Sequence, residues 1–238
     1  MLKRHHPHRE PSAAPILKAA LGTQRLRLTV ALLAAGRGAR FNAAFNRVQG
    51  DSCAGLTAHK LCAPLSGRPV MDWALSACQT FAQQASHHNS AAHALEVESV
   101  AVVAPTRDER DHLCRMADSR GVRVLYNPDA HQGMAQSLKH AAGHAACTGA
   151  DGLLIMLADM PFVSTALMRE VTDGWAKCCQ PHSAIVRPVG LEGTLYAGQV
   201  GHPVLFGAGH FGALSQLSGD AGAAALIAAY LAQGGTVN

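Results

Sequence analysis

Residues Thr29–Phe41 read TVALLAAGRGARF, and the change of character within this stretch decides the fold. Thr29–Leu33 is apolar enough for a buried strand. From Leu33 the chain breaks into Ala34-Ala35-Gly36-Arg37-Gly38-Ala39-Arg40, small residues first and basic ones after. Gly36 and Gly38 have no Cβ, so the backbone there can turn tightly and point successive N–H groups inward. Arg40 adds a fork of donors suited to phosphate oxygens. A strand that ends this way looks built to approach something negatively charged. The loop is not a Walker A loop, because no Gly-Lys-Ser/Thr follows, and G-x-G-x-x-G is incomplete. Taken alone, it is explained equally well as a tight turn with a surface arginine.

Outward from this stretch, strand-like and helix-like runs alternate. Val70 to Gln83 has helical spacing, with Val70, Trp73, Ala74, Ala77, Cys78 and Phe81 on one face. SVAVVA, Ser99–Ala104, predicts a second strand stopped by Pro105. A charged amphipathic helix from Arg107 to Ser119 ends at Gly121, and Val122–Tyr126 follows as a third strand. Met134 to Ala146 is helical, and GLLIML, Gly152–Leu157, is a fourth strand. Ser164 caps a helix to about Lys177, and Ala184–Arg187 is a fifth strand. Such alternation predicts an α/β fold: a Rossmann-like, mostly parallel sheet with helices on both faces. The apolar strands lack period-2 alternation, as expected of a sheet buried on both sides. The C-terminal third differs. GTLYAGQVGHPVLFG predicts a β-hairpin added to the sheet, and SGDAGAAALIAAYLAQ a closing helix. The segment between Arg40 and Lys60 is polar and aperiodic, and is expected to be a long loop. There are no internal repeats.

Composition narrows the function classes. The chain has 238 residues, 48% of them hydrophobic, which is ample for one core. Its formal charge of +4 misleads, because Lys3, Arg4, Arg9, Lys18, Arg25 and Arg27 all fall in residues 1–27, opposed only by Glu10. The remainder is close to neutral, so a nucleic-acid-binding surface on the body is not expected. Residues 1–27, with His5, His6 and His8, are expected to be a basic, disordered leader before a single domain over 28–238. No apolar run is long enough to span a bilayer. The seven cysteines, Cys53, Cys62, Cys78, Cys114, Cys147, Cys178 and Cys179, include no C-x-x-C pair and are expected to be reduced core thiols of a cytoplasmic protein.

Ligands of parallel sheets bind beyond the carboxyl ends of the strands, which directs attention to the loops there. In LIMLADMPFV, Leu154 to Val163, Asp159 stands just past a strand too apolar to hold a charge cheaply. A carboxylate at that place suits Mg²⁺, though ending the strand or capping a turn explains it as readily. In NPDAHQGMAQSLKHA, Asn127 to Ala141, Gly133 precedes a helix whose first turn holds Ser137. A helix start after glycine is a natural anion contact, although an ordinary loop-to-helix junction accounts for it too. In GHPVLF, Gly201 to Phe206, His202 before Pro203 reads as a positioning or packing residue rather than a general base.

Together these pieces resemble the MobA-like nucleotidyltransferases, and specifically the molybdenum cofactor cytidylyltransferase branch. The matching segments run in family order from about Leu28 to the C-terminus: LLAAGRGARF, HKLCAPLSGRPVMDWAL, NPDAHQGMAQSL, LIMLADMPFV, GHPVLF and LSGDAGAAAL. The resemblance implies a glycosyltransferase-A-like α/β architecture that uses an NTP and Mg²⁺. It implies that Leu33, Ala34, Ala35, Gly36, Gly38 and Arg40 form the nucleotide loop and that Lys60 meets the phosphates. It further implies that Asn127, Gly133 and Ser137 line the nucleotide site, that Gly201, His202 and Pro203 lie by the acceptor, and that Asp159 binds the metal. Asp220 is a candidate for a further metal or substrate contact.

The implied reaction transfers CMP from CTP to the terminal phosphate of molybdopterin, releasing pyrophosphate, with Lys60, Arg40 and Asp159 as the catalytic residues. A xanthine dehydrogenase-type molybdoenzyme would be the downstream partner. The Ala34-Ala35-Gly36 sequence resembles the cytidine-using branch, whereas Ala-Gly-Gly resembles the guanosine-using one. A methyl in place of hydrogen narrows the base pocket, a discrimination worth about 1–3 kcal/mol. The sequence departs from the family at Phe41-Asn42, where a glycine is expected, and in an insertion at about 41–59 that separates Arg40 from Lys60. Loop insertions are cheap thermodynamically, so Lys60 can still return to the site. Two other readings stay open: a related transferase acting on GTP or on a sugar phosphate, and a non-catalytic carrier of molybdenum cofactor.

Overall fold

The computed structural model describes residues 24–36, 59–87, 93–104, 109–190, 201–220, 222–233 and 235. Most of the leader, Gly38, Arg40, the inserted loop and residues 191–200 lie outside the described residues. The main sheet has six strands: β1 (Gln24–Leu33), β4 (His93–Val103), β5 (Arg123–Tyr126), β6 (Gly152–Leu157), β7 (Ile185–Val186) and β8 (Val204–Gly207). Their spatial order is β5-β4-β1-β6-β8-β7. β5, β4, β1 and β6 run parallel, and β8 lies antiparallel to both β6 and β7. The first strand in sequence is therefore central. The next two are laid to one side and β6 to the other, a strand-order reversal at β1 that opens a ligand crevice.

The central strands are buried on both faces, as their apolar runs require. Leu28, Val30 and Leu32 point into one core with Ala101, Leu154 and Met156, while Ala31 and Leu33 point into the other with Val100, Val102 and Ile155. The first core is closed by α1 (Val70–His87), α2 (Glu109–Ser119) and α4 (Thr165–Ala176). The second is closed by α3 (Met134–Cys147), the short α5 (Phe211–Ser215) and α6 (Ala224–Ala232). The Ala135, Ala141, Ala142 and Ala145 face of α3 is fully buried, and its small side chains let the helix lie close to the sheet. Trp175 of α4 is also fully buried and donates from Nε1 to the Pro181 carbonyl at 2.8 Å. A Cβ on Gly152 would come within 2.8 Å of its ring.

Several expectations shift. β1 begins at Gln24 and so takes in the last four residues assigned to the leader. Arg25 and Arg27 are exposed while Leu26 and Leu28 are buried, a period-2 stretch at the open end of the sheet. β4 likewise starts six residues before Ser99. A two-stranded hairpin, β2 (Pro64–Leu65) with β3 (Arg68–Pro69), was not expected. Its turn, Ser66-Gly67, has φ of 51° and 79°, the positive angles of a tight type I′ connection. Of the expected C-terminal hairpin, the described residues supply β8, inserted between β6 and the edge strand β7, and the short α5 precedes the closing helix. Cys78 and Cys114 are core thiols as expected, but Cys147 and Cys179 are exposed because they end α3 and follow α4. No helix among the described residues is long and apolar enough to cross a membrane.

Candidate active site

The carboxyl ends of β1 and β6 carry the site. Past Leu33 the backbone stays on the sheet for one more residue, with the Ala34 N–H donating to the Val102 carbonyl at 2.8 Å. The Ala158 N–H donates to the Leu33 carbonyl at 3.1 Å, which ties the β6 exit to the β1 exit. Ala34 and Ala35 are buried and Gly36 is exposed, so the loop leaves the core at the glycine. A Cβ on Gly36 would meet nothing within 4 Å.

Lys60 lies against Asp159, just past the end of β6. Its Nζ lies 2.6 Å from Asp159 Oδ2, with 28% of the lysine and 42% of the aspartate side chain exposed. The anchor is its neighbour Leu61, 1% exposed in the first core. A turn holds the segment: the Cys62 N–H reaches the His59 carbonyl at 2.8 Å, and the Met71 N–H of α1 reaches the Leu61 carbonyl at 3.0 Å. Lys60 is thus fixed from its C-terminal side by packing and by α1, whatever the length of chain before it. Asp159 occupies the turn after β6, where the strand's apolar side chains have given way to solvent.

Asn127 and Ser137 form a second element of the site. Asn127 is fully buried, donates from Nδ2 to Ser137 Oγ at 3.0 Å, and accepts from the Asp129 N–H at 3.1 Å. Both ends of its amide are satisfied by protein. Through these bonds it joins the end of β5 to α3 and positions the loop between them. Gly133 in that loop has φ +110°, where a side chain is strained. A Cβ there would sit 2.6 Å from the Gly219 carbonyl oxygen and 2.5 Å from Asp220 Oδ1. The Ala135 N–H of the first turn of α3 donates to the Gly219 carbonyl at 3.1 Å. Asp220 thus lies at the N-terminus of α3, where the helix dipole favours a carboxylate.

His202 is partly buried, with Nδ1 facing the Ile155 carbonyl at 3.5 Å, and the peptide bond to the buried Pro203 is cis. Burial pushes its pKa down, against the opposing pull of that carbonyl and of the Asp159 charge. The imidazole is therefore held neutral. Gly201 is fastened beside it, its N–H donating to the Pro188 carbonyl at 3.1 Å. Arg187, which the sequence reading did not single out, lines the same cavity as Gly201 and His202.

No group of three His, Cys, Asp or Glu side chains suited to a metal occurs among the described residues. Mg²⁺ needs no such cage, because it commonly takes one or two carboxylates and completes its shell with phosphates and water. Asp159 is a hard oxygen donor with 42% of its side chain exposed, so it fits that mode, with Lys60 free to turn to the phosphates when a metal takes the carboxylate.

A lysine and an aspartate thus meet just beyond the carboxyl end of β6, beside the central strand, in the region where ligands of such sheets bind. The model of the MobA-like NTP transferase domain matches residues 30–234, and the chain belongs to that family. Among solved structures, a nucleotidyl transferase from Methanothermobacter thermautotroptrophicus superposes with a TM-score of 0.60 at 22% identity, over 87% of this chain and 83% of that one. The Mycobacterium tuberculosis protein Rv0371c, in complex with manganese, superposes at 0.52 and 23% identity, over 87% and 84%. A 4-diphosphocytidyl-2C-methyl-D-erythritol synthase superposes at 0.51 and 16% identity, over 90% and 87%. No curated protein matches the chain. At these identities the superpositions speak for the fold, which is the Rossmann-like α/β one expected.

Proposed function

We propose that the protein is a cytidylyltransferase that moves CMP from CTP to the terminal phosphate of a molybdopterin-type acceptor and releases pyrophosphate. The observation that carries the reading is the 2.6 Å contact of Lys60 with Asp159 across the ends of β1 and β6. A cation and a carboxylate meet beyond the carboxyl ends of the parallel strands, the region where such sheets bind ligands, and this supports a phosphate-handling site there. In the reaction an oxygen of the acceptor phosphate forms a bond to the α-phosphorus, and the bond from that phosphorus to the bridging oxygen breaks. That nucleophile is already anionic near neutral pH, so no strong base is required, in keeping with a neutral His202.

The demands are position and charge. Lys60 Nζ would neutralise the phosphates, and N–H groups from Ala34 onward would line them, with Arg40 adding a second cation. Asp159 would hold Mg²⁺, which when bound supplies Lewis-acid neutralisation of the phosphoryl oxygens. Ala35 narrows the pocket toward a pyrimidine. Gly201, His202 and Pro203 would meet the acceptor, and Asn127 and Ser137 would hold the nucleotide side in shape. A xanthine dehydrogenase-type molybdoenzyme would take the product.

The test is acceptor-dependent pyrophosphate release with CTP, GTP, ATP and UTP, for wild type beside Asp159→Ala. Release with CTP alone, lost in the variant, is expected. No release with any nucleotide, from protein that still binds the pterin cofactor, would refute transfer and leave a carrier. Release with a sugar phosphate in place of the pterin acceptor would refute the acceptor.

A further inference from the structure

A cavity of about 220 Å³ lies on the α3 and α6 side of the sheet, beside the site. Its walls are Leu33 of β1, Leu138 of α3, Ile155 and Leu157 of β6, Phe206 of β8 and Ile227 of α6. Among its lining residues only Arg187 and His202 carry polar side chains.

Arg187 follows β7, and its Nε is buried without a hydrogen-bond partner. Other arginines of the described structure end on protein: Arg68 and Arg120 on Asp72, Arg123 on Glu98, and Arg169 on Gln84. A guanidinium in an apolar cavity with a donor left over is a site awaiting an acceptor group. Leu157, two residues before Asp159, places the cavity next to the Lys60–Asp159 pair.

The lining restricts what enters. Aliphatic walls favour a flat, weakly hydrated ring, and a bare phosphate would leave them unfilled. Arginine's fork matches a carbonyl oxygen beside a ring nitrogen, the pairing it makes with the guanine edge. The volume falls short of the roughly 300–1,000 Å³ of pockets for larger ligands, so one bicyclic ring fits rather than a whole nucleotide.

We propose that Arg187 and this cavity form the ring subsite of the acceptor. A fused pyrimidinone heterocycle enters it with its carbonyl and nitrogen edge on the guanidinium, while the phosphate end of the same molecule reaches Lys60 and Asp159. That the ring belongs to an acceptor whose phosphate reaches Lys60 and Asp159 rests on the transferase reading; that the cavity takes such a ring on Arg187 does not.

The test titrates 6-carboxypterin, followed by its fluorescence, into the full-length protein without nucleotide. Wild type, Arg187→Met and Arg187→Lys are compared, with CTP titrated in parallel. Arg187→Met should weaken pterin binding at least tenfold and leave CTP affinity unchanged. Arg187→Lys should also weaken it, since a point charge does not replace the fork. In transfer assays the acceptor KM should rise while the KM for CTP holds. Equal pterin binding by all three proteins, or none by wild type, would overturn the subsite. If the methionine variant does not fold, the lysine variant decides by the same readouts. Transfer from CTP with an unaltered acceptor KM in Arg187→Met would refute the subsite and leave the transferase standing. Arg187-dependent pterin binding without any transfer would do the reverse.

Discussion

Replacing Gly133 with alanine should damage the protein far more than a single methyl normally does. The residue has φ +110°, a conformation that costs a side chain about 1–3 kcal/mol. The added Cβ would lie 2.6 Å from the Gly219 carbonyl oxygen and 2.7 Å from its carbon. Because those atoms are backbone, the 219–220 segment must move, and the hydrogen bond from the Ala135 N–H to Gly219 goes with it, a further loss of about 0.5–1.5 kcal/mol. The sum is roughly 2–4 kcal/mol. In urea denaturation, with a slope of about 3 kcal/mol/M, the midpoint should fall by about 1 M. Gly143 is the internal control. It lies in the same helix, and a Cβ there meets nothing within 4 Å, so Gly143→Ala should stabilise by about 0.4–1 kcal/mol. A Gly133→Ala midpoint within error of wild type would refute the packing of the 219–220 segment against the start of α3.

Three further outcomes follow from the site and the core. Lys60→Met should lower kcat/KM for the nucleotide by about 10²–10³. Its melting temperature should change little, because a part-exposed ion pair contributes about 0–1 kcal/mol to stability. His202 has a folded pKa below its unfolded value, so the unfolded chain binds more protons in the window between the two. Its share of stability is present above about pH 6.5 and is lost as pH falls through the folded pKa. His202→Gln should therefore reduce the loss of melting temperature between pH 7 and pH 5 relative to wild type. Burial raises the Cys78 thiol to about 12, whereas Cys147 and Cys179 are exposed. Peptide mapping after brief alkylation of native protein should find label on Cys147 and Cys179 and none on Cys78.

Where the sequence was explicit, the fold followed it closely. GLLIML is β6 with no boundary error, because six apolar residues between Asp151 and the Ala158-Asp159 turn leave no other register. Ser164 caps α4 through its Oγ, which accepts from the Leu167 N–H at 3.2 Å. The misses have physical causes. The extension of β1 to Gln24 was hidden by Arg25 and Arg27, which count toward a basic leader but alternate with buried leucines at a sheet end. The hairpin of β2 and β3 has strands of two residues, too short for any periodicity, and its only signal was Ser66-Gly67 between two prolines. At the site, the sequence said only that a loop insertion is cheap enough for Lys60 to come back; what fixes it, the burial of Leu61 beside it, needs coordinates to be seen. Asn127 entered the site only through the family resemblance, and its two internal hydrogen bonds, which tie β5 to α3, need coordinates to be seen. Arg187 was passed over because nothing in its neighbours reveals that its partner is missing.

The central claim is that Lys60 and Asp159 form one metal-dependent triphosphate site. Calorimetric titration of CTP, with and without Mg²⁺, into wild type and Asp159→Ala tests it most directly. Wild type should bind CTP at least tenfold more tightly when Mg²⁺ is present, and the variant should show no such gain. Equal Mg²⁺ dependence in the two proteins would contradict the account.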